Sequence, residues 1–342
     1  MRATKPLAAL LGAFALFSAA PPPQVDDVAL MAARPADDIA AYRLFLDAAM
    51  TVPAPRVAKY GLNSTLFSDY ADKARYIYVP EGETLAYDGE GLLKFPVGAA
   101  IVKHFGFVRD DGHFDKIETR LLVRQADGWK AYPYVWDESD SHATLKKAGA
   151  KLEVMGHDAD GQPLALHWAV PNVNQCKGCH NVGDEIEPIG PKARNLDGTF
   201  EGDNNLARLQ GLGLLTGVPA HPPVMPDWQD VSVPVEQRAR AYLDVNCGHC
   251  HNPAGPASNS GLFLTWETPR GPHMGIGKTP AAAGRGSGGR SVGIAPGKPE
   301  ESILLYRMES TEPGVMMPEL GRTQEHDEAV ALIREWIAEM KG

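Results

Sequence analysis

Cys176-Lys177-Gly178-Cys179-His180 and Cys247-Gly248-His249-Cys250-His251 are the two stretches from which the rest of the chain is read. Between them they hold all four cysteines of the 342 residues. In each, two residues separate the thiols and a histidine follows at once. Thiols about one helical turn apart suit addition across the two vinyl groups of one porphyrin, and the adjacent histidine then offers a nitrogen to the iron. The spacing implies two covalently bound haem c groups. Cys176, Cys179, Cys247 and Cys250 are the expected attachment residues, and His180 and His251 the expected proximal metal ligands.

Other uses of paired cysteines fit less well. A zinc ribbon separates its pairs by roughly 15–20 residues, whereas 67 residues lie between Cys179 and Cys247. A thioredoxin-like pair needs a strand-then-helix setting and no following histidine. Pairing into disulfides would leave both histidines without a purpose.

The beginning of the chain reads as an export signal over residues 1–20: Arg2 and Lys5, an apolar run from Pro6 to Phe17, then Ser18-Ala19-Ala20. The run is short for a membrane span and is followed by Pro21-Pro22-Pro23, so a periplasmic mature chain without a transmembrane segment is expected. Removing Arg2 and Lys5 takes the formal charge from −10 to −12. That acidity, with no basic tract, argues against nucleic acid and anionic membranes and allows a basic redox partner.

Beyond the motifs, the pattern predicts an α+β chain: an antiparallel β sandwich or barrel-like domain followed by a mainly α-helical, cytochrome c-like region. Residues 24–59 form a lead-in with a helix over Asp37–Met50. Residues 60–171 carry short β-like runs, among them Arg75–Val79, Leu92–Phe107, Thr119–Arg124, Trp129–Trp136 and Leu164–Val170. Residues 172–226 hold the first motif, a short helix over Asn204–Leu212 and a Pro-rich linker over Val218–Pro226. Residues 227–342 hold the second motif. Val235, Ala239, Tyr242 and Leu243 mark a helix running into Cys247, and Val330, Ile333, Ile337 and Met340 a final helix capped by Thr323. The Gly-rich segment 284–290 lacks the strand and helix of a phosphate cradle and reads as loop.

A low-spin electron carrier needs a second axial ligand. For the second motif, Met316-Met317-Pro318 lies shortly before the last helix, and Met317, directly before the proline, is the expected ligand, with Met316 as the alternative. For the first, Met155, Met225, Met274, His104, His113, His157 and His167 are all candidates, as is an open iron. His104 leads because the β domain must cover one haem face.

Several strings together resemble the SO2930-like family of exported bacterial dihaem c-type cytochromes, from about Tyr60 to the end: Leu66-Phe67-Ser68-Asp69-Tyr70, Glu118-Thr119-Arg120-Leu121-Leu122, Pro171-Asn172 to His180, Pro188-Ile189-Gly190-Pro191-Lys192, the segment 283–289 and Met316 to Arg322. The C-terminal part is similar to a class I cytochrome c domain. The β-plus-dihaem arrangement looks like the cytochrome portion of some quinoprotein sugar dehydrogenases. These resemblances imply an electron acceptor or relay whose partner is a redox protein, either a quinoprotein dehydrogenase or a terminal oxidase or cytochrome chain. The competing expectations are a dihaem peroxidase-like enzyme with an open haem 1 and a haem-based sensor.

Overall fold

A computed structural model describes residues 24–183 and 185–341; the expected export signal lies outside the described residues. Its dominant element is one open antiparallel sheet of six strands: β1 (Val57–Lys59), β2 (Asp72–Tyr78), β4 (Ala100–Val108), β5 (Phe114–Gln125), β6 (Gly128–Trp136) and β7 (Ala143–Leu145), hydrogen-bonded in that order. The two-residue β3 (Leu85–Ala86) pairs outside it with Leu215–Thr216. A separate hairpin, β8 (Ala150–His157) and β9 (Pro163–Val170), lays Leu166, Trp168 and Val170 on Phe105 and Phe107 of β4. The five predicted β runs all lie at least partly in strands, but the result is an open sheet carrying a hairpin rather than a barrel.

Alternation along β4 gives the sheet two chemically different faces. Ala100 and Val102 face the lead-in, packing with Ile39, Tyr42 and Phe45. Ile101 faces the other way, with Leu122 and Ala131, and packs against Cys176, Ala193 and Leu206. The lead-in contains only the short helix α1 (Asp27–Leu30) and a 3-10 turn over Ile39–Tyr42, so the helix predicted over Asp37–Met50 does not form. Arg43 takes a left-handed conformation that ends the turn, and Asp47 accepts the amides of Thr51 and Val52 in place of a helical ladder.

Residues 172–226 contribute α2 (Val173–His180), α3 (Ala193–Leu196) and α4 (Asn205–Gly211). Asn172 and Gln175 cap each other's backbone amides and start α2 at the first motif. The stretch predicted as a linker is pinned. Asn63 donates to the Met225 carbonyl, Ser64 to that of Pro226, and Met225 is fully buried.

The expected mainly α-helical C-terminal region is not what forms. Among the described residues, strand (26%) exceeds helix (23%), and the α-helices after residue 226 are α5 (Val235–Asn246), α6 (Ile303–Glu309) and α7 (Asp327–Glu339). Twelve glycines and seven prolines between Gly248 and Pro299 deny the intervening chain a helical ladder and leave 3-10 turns and loop. Helix α5 does run into Cys247 and packs on α7 through Ala239, Leu243, Ile333 and Ile337. Thr323 does not cap α7. Its amide and hydroxyl donate to Asp69 of the β domain, and the helix starts at Asp327. Among the described residues, no helix is long and apolar enough to cross a membrane.

His326, just before α7, stacks on Phe67 with ring centroids 4.0 Å apart and also faces Tyr70, Trp228 and Tyr242. Glu328 stands 3.7 Å away. Burial first, then the positive charges of Lys73 and Arg322, push its pKa from 6.5 down to about 3. Between those two pH values the unfolded chain binds a proton that the folded chain refuses, so stability falls as pH drops through this window. Acid unfolding should show that slope, made shallower in His326→Gln; an unchanged slope would contradict it.

Candidate functional site

The fold brings the two motifs, distant in sequence, into contact. Cys250 Sγ approaches the Gly178 carbonyl at 3.8 Å, and the Gly183 amide donates to the Ala254 carbonyl at 3.0 Å. The neighbouring Cys250 and His249 hold the Cys179 thiol below its ordinary range, while Cys179 and burial push Cys250 up. All four cysteines are free thiols.

A cavity opens beside each motif, and the two adjoin. The first, about 130 Å³, is lined by Cys179, His180, Arg75, Lys103, Arg120 and Pro188–Lys192. The second, about 580 Å³, is lined by Cys247, Cys250, His251, Met274, Met308 and Met317. Cys179, Asn246, His249, Pro318 and Leu320 border both. The larger volume falls within the roughly 300–1,000 Å³ usual for cofactor clefts; the smaller must widen to take a macrocycle.

The two histidines that follow the thiols are held differently. His180 Nδ1 meets the Glu187 carbonyl at 2.7 Å. Donation there fixes the tautomer with the Nε2 lone pair free, the usual preparation of an imidazole for a metal. Burial is the first cause that pushes both His180 and His251 down to about 4, so both are neutral near pH 7. His251 Nδ1 is buried without a hydrogen-bond partner. Among the described residues, no three His, Cys, Asp or Glu side chains are grouped to hold a metal ion by themselves, so the four convergent ligands of a zinc ribbon are not assembled. Paired free thiols and a neutral adjacent imidazole are the donors that a thioether-bound haem requires; the second motif adds a cavity of fitting volume, whereas the first faces a smaller one walled in part by Arg75, Lys103 and Arg120.

Met317 borders the cavity of His251, whereas Met316 does not line it. Its backbone is held at both ends: the amide donates to the Arg307 carbonyl at 2.9 Å, and its own carbonyl accepts from Arg322 at 2.9 Å. The same Arg322 amino group also reaches the carbonyls of Arg307, Met308 and Ser310. One buried guanidinium thus clamps the methionine loop to the end of α6.

His104 is a correction. It lies on the lead-in face of β4, the opposite face from Lys103 and the first cavity, because successive strand residues alternate. There it is 1% exposed, meets Thr119 Oγ1 at 2.6 Å and sits among Phe45, Tyr76 and Trp136. Burial pushes its pKa to about 3. It is a core histidine. None of the other six candidates lines the first cavity either. Met155 is 68% exposed, and His167 pairs with Glu153 at the surface. The imidazoles that line the cavity are His180 and His249, and the sequence reading passed over His249 because it sits inside an attachment motif.

One polar knot ties the first segment to the second. Asp244 of α5, 0% exposed, accepts from Lys192 (3.0 Å), Arg194 (3.0 Å) and the Trp266 amide (3.0 Å). Arg194 is 1% exposed and reaches on to Glu267. Comparison with protein-family models, curated proteins and solved structures yields no match to this chain.

Proposed function

We propose that the protein is an exported dihaem c-type cytochrome of the SO2930-like kind that carries electrons in the periplasm, as acceptor or relay for a redox partner such as a quinoprotein dehydrogenase. The observation that carries this reading is the contact of the two attachment motifs, whose cavities share Cys179, Asn246, His249, Pro318 and Leu320. A haem bound at each motif would supply one-electron chemistry over the range of potentials that ligation and burial set. The chain's own residues attach, orient and insulate. The four thiols fix position, the Glu187 carbonyl holds His180 in one tautomer, and Leu262, Leu264 and Ile294 keep the second cavity apolar.

Met317 is assigned as the distal ligand at the second motif. Met317→Ala should abolish the weak sulfur-to-iron band at the red end of the oxidised spectrum, and persistence of that band would sink the assignment. A second reading, an enzyme with an open iron at the first motif, is favoured by one observation: none of the seven expected distal candidates lines that cavity. The oxidised spectrum, with a peroxide assay, separates the readings. Electron transfer predicts two low-spin haems and no peroxide turnover. One high-spin haem that turns over peroxide would overturn it.

A further inference from the structure

The wall of the first cavity contains an arrangement that a sheet ordinarily avoids. Arg75 on β2 is directly opposite Lys103 on β4, and Lys103 is directly opposite Arg120 on β5. Three cations therefore form a row across three adjacent strands, on one face and at one level. Like charges directly opposite one another destabilise a sheet, and burial raises the cost. Arg75 is 7% exposed. Ile77, Ile101 and Leu122 flank the row on one side, and Lys73, Phe105 and Glu118 on the other.

The row is not neutralised from within. Arg120 forms a two-pronged pair with Glu118 (2.7 and 3.0 Å). Among the described residues, neither Arg75 nor Lys103 has a carboxylate within 4.0 Å. Arg75 donates only to the Lys73 carbonyl, at 3.3 Å, and Lys73, a fourth cation, follows on the same face. All three members of the row line the cavity that also contains Cys179 and His180. Two basic side chains without a carboxylate partner thus face the cavity, and burial, then the neighbouring Arg75, Lys73 and Arg120, hold Lys103 well below its ordinary range.

We propose that Arg75, Lys103 and Arg120 form a carboxylate-binding row that anchors the acidic edge of the group held by Cys176 and Cys179. This rests on the dihaem reading and deepens it, giving the β domain a role as the electrostatic wall of the first site. Arginine supplies a fork matched to carboxylate, and lysine a point charge. Haem propionates are one source of such carboxylates; a small dicarboxylate from solution is the other.

The test uses the full-length holo-protein with Arg75→Gln and Lys103→Met, singly and combined, and Lys103→Arg as the charge-conserving control. Haem content is measured first; absence of covalent haem from the unaltered protein defeats the dihaem reading itself, separately from the row. Redox titration followed by absorbance then reads both potentials. Each neutralising variant should lower one potential and leave the other in place, because a cation beside the site favours the reduced state. The shift expected is about tenfold in the electron-transfer equilibrium per charge, equivalent to 59 mV for a one-electron couple. Lys103→Arg should restore the unaltered value. Titration of the unaltered protein with succinate identifies the source: no shift means that propionates fill the row, and a saturable shift means that it takes carboxylates from solution. Two haems with both potentials unmoved in the double variant would overturn the proposal.

Discussion

Replacing Asp244 by alanine is expected to cost about 3–5 kcal/mol of stability, the usual result of removing one partner from a buried ion pair. Asp244 is fully enclosed, and its removal leaves Arg194 and Lys192 facing each other without an anion. Burial alone would raise the pKa of this carboxyl, but Lys192, Arg194 and the Trp266 amide outweigh it and hold the pKa below its ordinary 3.8. A depressed carboxyl pKa stabilises the fold above the unfolded value, and that contribution is lost as pH falls through the folded value. Denaturant unfolding of the unaltered protein and Asp244→Ala at neutral pH gives the comparison. The exposed Arg270–Glu236 pair serves as control, where a loss of about 0–1 kcal/mol is expected. A loss as small as the control's would show that the knot does not hold the two halves of the site together.

The other large effect is on cofactor content. Cys176→Ala combined with Cys179→Ala should reduce covalent haem from two per chain to one, as should Cys247→Ala with Cys250→Ala. Each variant should retain the haem of the other motif, because each motif carries its own pair of thiols and its own following histidine. The potential of the surviving haem should differ from its value in the intact protein, since the two motifs are in contact through Cys250 and Gly178 and a neighbouring charge is removed. Alkaline pyridine spectra give the stoichiometry. Loss of both haems from either variant, with the chain still folded, would contradict independent attachment.

Much of the site was legible because its chemistry is local. Cysteines at fixed spacing followed by histidine need no tertiary information, and the helix ending at Cys247 announces itself by period. The strands were legible as alternating runs between turns, as Trp129–Trp136 shows. The misplaced ligand depended on partners far along the chain. His104 looked suited to cover a haem, but which face of β4 it occupies is set by the pairing of β2, β4 and β5, and one residue's displacement reverses the face. The row of Arg75, Lys103 and Arg120 was hidden for the same reason, since three isolated cations become a feature only in register. The helix over Asp37–Met50 had the right period, yet Asp47 found the amides of Thr51 and Val52 and the chain turned. The C-terminal region was judged by its two end helices, and the glycines and prolines between them were given too little weight.

The most direct test of the account is the intact mass of the mature, purified protein under denaturing conditions. Thioether bonds survive unfolding, so the account predicts a chain heavier by two haem groups, with digestion placing one on the peptide of Cys176 and Cys179 and the other on that of Cys247 and Cys250. A bare polypeptide mass, with the four thiols free or oxidised to disulfides, would contradict it.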